Sequence, residues 1–139
     1  MKSYTDIEQS KKLAEILPIE SADMYWKNGV SNKYIQCLTP FVIDDYGSNV
    51  NYDYDIPCWS LAALFKILPI FTKPTAFSID VSVPSVTKTD NGWLLKYNGD
   101  FTLYINNGKD TEAPVEFLAD NPIDAAFEMV CWLKENGKI

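Results

Sequence analysis

Residues 121–137 constrain the fold more than any other stretch of this sequence. Asn121 stands where a helix N-cap is needed, Pro122 has the fixed φ of a first helical residue, Asp124 puts negative charge at the positive end of the dipole, and Gly137 follows the end. The spacing predicts a helix over 122–136. Ile123, Ala126, Phe127, Val130 and Leu133 form one apolar face of it, while Asp124, Glu128 and Glu135 mark the wet stripe. Ala125, Met129 and Trp132 widen the apolar arc to more than half the circumference, and a sheet covers only one side of a helix. These three residues are therefore a candidate helix-packing or homodimer surface, covered either by a second helix of the chain or by a second copy.

The other elements follow from pattern and punctuation. Thr5 and Glu8 have capping-box spacing ahead of a helix over about residues 6–17 that stops at Pro18. Met24–Lys27 and Tyr34–Leu38 flank a turn-prone segment and predict a hairpin. From Trp59 to Leu68 only Ser60 and Lys66 are polar, which predicts a buried helix, with Leu61, Leu64, Phe65, Ile67 and Leu68 as core. Phe77, Ile79, Val81 and Val83 alternate with Ser78, Asp80 and Ser82, as in a strand with its apolar face inward. Trp93–Tyr97 and Phe101–Ile105 flank Asn98-Gly99, a dipeptide suited to a type I′ hairpin turn. The order α-β-β-α-β-β-β-α predicts an α+β fold, three helices packed on a mainly antiparallel sheet of about five strands, in a single domain over 1–139.

Composition narrows the function classes. All 12 basic residues are lysine, against 19 acidic ones, for a net charge of −7 with no arginine and no histidine. Histidine-based triads, the usual zinc sites and bidentate arginine clamps on phosphate or guanine are thereby unavailable. The acid is concentrated: residues 44–55 hold four carboxylates and residues 110–128 hold six, neither with a lysine. If the two stretches come together in space, the acidic surface they form repels nucleic acid. The 16-residue apolar run Ile56–Phe71 is too short and interrupted to span a bilayer, so no membrane partner is expected. Lysines and acids break up the first twenty residues, leaving no signal-peptide core. Together with Cys37, Cys58 and Cys131, read as buried free thiols, this points to the cytoplasm.

Individual clusters offer little catalytic chemistry. Asn49, Asn51, Asp53 and Asp55 alternate as oxygen ligands would, but lack the EF-hand's sixth-position glycine and closing glutamate, so they read as a solvated acidic loop. Asp120, Asp124 and Glu128 stand at four-residue steps without any Glu-x-x-His element, and Asp124 is accounted for by the helix start. Cys58 lies near a helix start that would lower its pKa, in apolar surroundings that would raise it. The glycines form neither a Walker loop nor a dinucleotide fingerprint. No catalytic, cofactor or metal residue is assigned. Tyr46, Tyr52, Tyr54 and Trp59 cluster among Asp53, Asp55 and amides. Those six residues are a candidate interaction surface if the rings are exposed, and sheet or helix packing if they are not.

Two segments carry a resemblance. Ile56-Pro57-Cys58-Trp59-Ser60-Leu61 with Leu64, Leu68 and Pro69, and Ala119-Asp120-Asn121-Pro122-Ile123-Asp124-Ala125-Ala126 through Met129, Trp132 and Leu133, resemble a family of small proteins from gut Bacteroidales genomes and their phages or mobile elements. That resemblance implies no activity, ligand or cofactor. The expectation is a non-enzymatic acidic protein acting on an unidentified protein partner. The alternatives are an acidic decoy or immunity-type inhibitor of a basic protein, and a small-molecule or glycan binder using Tyr46, Tyr52, Tyr54 and Trp59.

Overall fold

The structure, a computed structural model, describes residues 2–27, 39–106 and 112–139. It is α+β, with three α-helices and antiparallel strand pairs. The chain groups into two compact units, Met1–Ile67 and Leu68–Ile139. No glycine-rich or charged linker marks that division, because it falls inside the apolar run that ends at Phe71.

The first unit holds α1 (Ile7–Ile16), a 3-10 turn (Ile19–Ser21), β1 (Met24–Trp26), β2 (Phe41–Val42), β3 (Ile56–Cys58) and α2 (Leu61–Ile67). The capping box of α1 sits one residue later than expected. Asp6 Oδ1 accepts from the Gln9 amide at 2.8 Å, and Gln9 Oε1 accepts from the Asp6 amide at 3.1 Å. Thr5 is withdrawn from capping because its hydroxyl is buried, 2.8 Å from Ser10 Oγ, where it accepts from the Trp59 amide at 3.1 Å. The Thr5 amide in turn donates to the Trp59 carbonyl at 2.9 Å, which ties the chain before α1 to the chain after β3.

Helix α2 is shorter than the apolar run predicts. Trp59 lies outside it, and Ser60 caps it, receiving the Ala63 amide at 3.2 Å. Leu64 and Leu68 are buried as expected, whereas Leu61, Phe65 and Ile67 are only partly so. The sheet order is β2-β1-β3, both pairings antiparallel. Of the expected first hairpin, Met24–Trp26 is a strand, and Tyr34–Leu38 lies outside the described residues, as does Cys37.

The second unit is built on the sheet β4-β5-β6-β9, made of β4 (Phe71–Pro74), β5 (Ile79–Thr89), β6 (Gly92–Gly99) and β9 (Glu116–Ala119). A separate pair joins β7 (Tyr104–Asn106) to β8 (Glu112–Pro114), so the described strands form three sheets instead of one. The expected hairpin at Asn98-Gly99 does not form. Residues 92–99 run as one strand against β5, and the tight turn is Asp90-Asn91, which pairs Thr89 with Gly92. Gly99 serves a different purpose: at φ +144°, a Cβ there would lie 2.1 Å from the Val81 carbonyl oxygen. It lets β6 press against the β5 backbone.

That register reverses the alternation expected of β5. Leu95 pairs with Val86 and Tyr97 with Pro84, and the buried Leu95 and Tyr97 fix which face is inner. Counting back in twos puts Ser82 inside, fully buried, and turns Ile79, Val81 and Val83 outward, with Ile79 64% exposed. Phe77, at the hairpin tip, is 99% exposed. Pro84 is tolerated because it falls beyond the last β5 residue paired with β4. Among the described residues, the hydroxyls of Ser82 and Tyr97 are buried without partners, and burial pushes the Tyr97 phenol well above its ordinary pKa.

Helix α3 (Pro122–Glu135) packs on β6 and β9. Asn121 Oδ1 accepts from the Asp124 amide at 2.9 Å, while Asn121 Nδ2 donates to the Asp124 carboxylate at 2.8 Å. Ala125 and Met129 are at 0% exposure within one chain, so those two positions offer nothing to a second copy, and Trp132 is partly buried. Ala125 and Met129 are therefore withdrawn from the homodimer surface expected there, while Trp132 keeps part of its surface exposed.

Asn121→Ala should lower unfolding stability by about 1 kcal/mol, because it strands the Asp124 amide; an unchanged urea midpoint would show that the cap carries no weight. Gly99→Ala should cost about 2–3 kcal/mol, combining the positive φ with a backbone clash. Gly137→Ala, whose added Cβ meets nothing within 4 Å, should cost only about 1 kcal/mol. Equal losses for the two alanine variants would contradict the tight β5–β6 contact.

Candidate functional site

The route of the chain places the site. Strands β2 and β3 flank β1 and are both antiparallel to it, and Val42 lies opposite Met24 whereas Ile56 lies opposite Trp26. Residues 43–55 must therefore travel back along β1 and arrive beside Lys27, the residue after Trp26. There the Lys27 ammonium is 3.9 Å from Asp55 Oδ2, and the Asp55 side chain is almost entirely buried.

Short polar side chains hold this connection. Asp44 Oδ1 accepts from the amides of Tyr46 (3.2 Å) and Ser48 (2.7 Å), and the Ser48 hydroxyl donates to Asp44 Oδ2. Those bonds hold the Asp44 carboxyl below the usual carboxylate range. Asn49 Oδ1 accepts from the Asp44 amide at 3.0 Å, and its Nδ2 donates to the Val42 carbonyl at 2.9 Å. Asn51 Oδ1 accepts from the Asp53 amide at 3.0 Å, and Asp55 Oδ2 from the Asn51 amide at 2.9 Å. The alternating oxygens that resembled a ligand set are thus largely engaged by the loop's own backbone, in the manner of Asx turns.

Of the six residues expected to form the interaction surface, the structure brings out four. Tyr46 is 94% exposed, Tyr52 49% and Tyr54 36%, and Asp53 is exposed as well. Asp55 and Trp59 do not belong to it. Asp55 is 5% exposed and ties the loop to Lys27. Trp59 is at 0%, its indole Nε1 donating to Ser21 Oγ at 3.0 Å. The alternating polar and aromatic pattern could not separate inward from outward rings, because the segment is neither a helix nor a regular strand.

Between the loop and Lys27 opens a cleft of about 580 Å³, lined by Lys27 and residues 48–53. Lys27 was missed from the sequence, since only the β2-β1-β3 order carries the loop back to it. A smaller cleft of about 290 Å³ lies against Asp23, Ala63 and Lys66. Its Asp23 is spent in receiving the amide and the hydroxyl of Ser60.

The Cys58 thiol sits in a buried environment. Cys58 donates to the Thr5 carbonyl at 3.4 Å, and burial pushes its pKa up, so the lowering expected from a helix start does not prevail. Asp124 is engaged by the Asn121 cap, and of its helical neighbours Asp120 and Glu128 are exposed. Among the described residues no helix is long and apolar enough to cross a membrane. No protein-family profile, curated protein or solved structure matches the chain.

With Cys37 and Cys131 replaced by serine, the remaining Cys58 should resist an aromatic disulfide reagent at about pH 8.5, where an ordinary thiol is half ionised, and react fully once guanidinium unfolds the chain. Prompt reaction of the native protein would show an accessible thiolate instead.

Proposed function

We propose that this protein is a non-enzymatic binding module, working in the cytoplasm, whose loop 44–54 docks onto a positively charged surface of a protein partner. One observation carries the reading: three tyrosines stand exposed on a loop whose backbone is tied down by Asp44, Asn49, Asn51 and Asp55. Tyrosine supplies large contact area at low entropic cost, and a loop already held in shape loses little further freedom on binding. Aspartates in the same stretch, with no lysine among residues 44–55, favour a basic partner and disfavour nucleic acid. An acidic inhibitor that covers a basic surface is the form this reading takes most directly. The glycan reading loses its largest stacking ring, since Trp59 is buried. The thiols of Cys58 and Cys131 are buried, which suits a reducing compartment.

The test is capture from lysate of the encoding cells, comparing the wild type with a Tyr46→Ala, Tyr52→Ala double variant of unchanged melting temperature. A protein retained by the wild type should be lost from the variant, and also from the wild type at about 0.5 M salt, where surface charges are screened. Identical captured sets for both proteins would overturn the reading.

A further inference from the structure

We propose that the cleft between Lys27 and residues 48–53 receives an arginine side chain of the partner. The proposal rests on the reading of the loop as a protein-docking surface and names the group that surface recognises. The cleft is a broad depression of about 580 Å³, open to solvent, so it can take the tip of one side chain and not a whole small ligand.

Its chemistry selects a planar cation. Tyr52 contributes a half-exposed ring, with its hydroxyl near Gly47. Asp53 contributes an exposed carboxylate that accepts no hydrogen bond among the described residues, its amide alone being engaged by Asn51. A guanidinium can stack on the first and pair bidentately with the second, whereas an ammonium can use only the charge. Lys27 does not supply the missing cation, since its ammonium lies 3.9 Å from Asp55, on the loop's buried carboxylate. A neutral sugar could use the Asp53 carboxylate as a hydrogen-bond acceptor but not its charge, which a guanidinium uses together with the bidentate geometry. The chain itself has no arginine, so neither a segment of this protein nor a second copy can fill the cleft in this way. The occupant comes from another protein.

The experiment titrates the intact, isotope-labelled protein with capped tripeptides bearing arginine, lysine or citrulline between two glycines, read by amide NMR shifts. Citrulline keeps the shape of arginine and removes its charge. The arginine peptide should shift the amides of residues 48–53 and bind about tenfold more tightly than either other peptide. The preference should disappear in Asp53→Asn and in Tyr52→Leu, with shifts elsewhere unchanged to show an intact fold. Equal binding of arginine and citrulline, equal binding of arginine and lysine, shifts confined to other regions, or a response only to a neutral oligosaccharide would each overturn the proposal. No partner is needed for this titration. Its failure beside a tyrosine-dependent capture would therefore sink the arginine assignment alone.

Discussion

Side chains of a strand alternate strictly between two faces, so the register of one ladder decides the exposure of every residue along it. In this protein the β5–β6 ladder, eight residue pairs from Ser82–Gly99 to Thr89–Gly92, has that authority over the second unit. The two-residue turn at Asp90-Asn91 sets it, the side chains of Leu95 and Tyr97 choose the inner face, and Gly99 lets the far end close against Val81. Everything on β5 follows by parity, including the unfavourable outcomes: a serine hydroxyl inside without a partner and an isoleucine outside. An unpaired buried hydroxyl costs on the order of 1–3 kcal/mol. The packing of large side chains on β6 outweighs it.

The first unit is organised by hydrogen bonds that reach far along the chain. Thr5 joins the entry of α1 to the exit of β3, and Asp23 receives the start of α2 at Ser60. With β1 held between β2 and β3, both ends of the connection 43–55 are anchored. Its middle is then stiffened by its own aspartate and asparagine side chains. The tyrosines on it are consequently presented from a framework and not from a slack loop, the condition under which exposed rings make effective contacts.

Local chemistry was legible where an element carries its own punctuation. The α3 cap at Asn121, with Pro122 at N1, stands where the side-chain types place it, because a cap bond spans three residues and needs no tertiary partner. The α1 start missed by one residue, since Thr5 and Asp6 are both competent caps and the choice depends on Trp59 and Ser10. Four of the six candidate surface residues were legible for a related reason. Tyrosine, aspartate, glycine and asparagine over 44–55 announce an irregular, polar connection, yet whether a given ring points in or out depends on what lies beneath it. Trp59 was drawn into the surface by sequence proximity and belongs to the core by packing.

Composition and short-range pattern by themselves determined the α+β class, the three helices, the acidic balance without arginine or histidine, and the existence of a tyrosine-rich loop. Those properties rest on residue identity and on contacts within a few positions. Tertiary structure alone decided the partner of β6, the face of β5 that is buried, the withdrawal of Ala125 and Met129 from any dimer surface, and the arrival of loop 43–55 beside Lys27. Each depends on pairing between residues distant in sequence. Many pairings satisfy the same local pattern, and the one adopted is selected by the summed burial of side chains on all the strands and helices that meet.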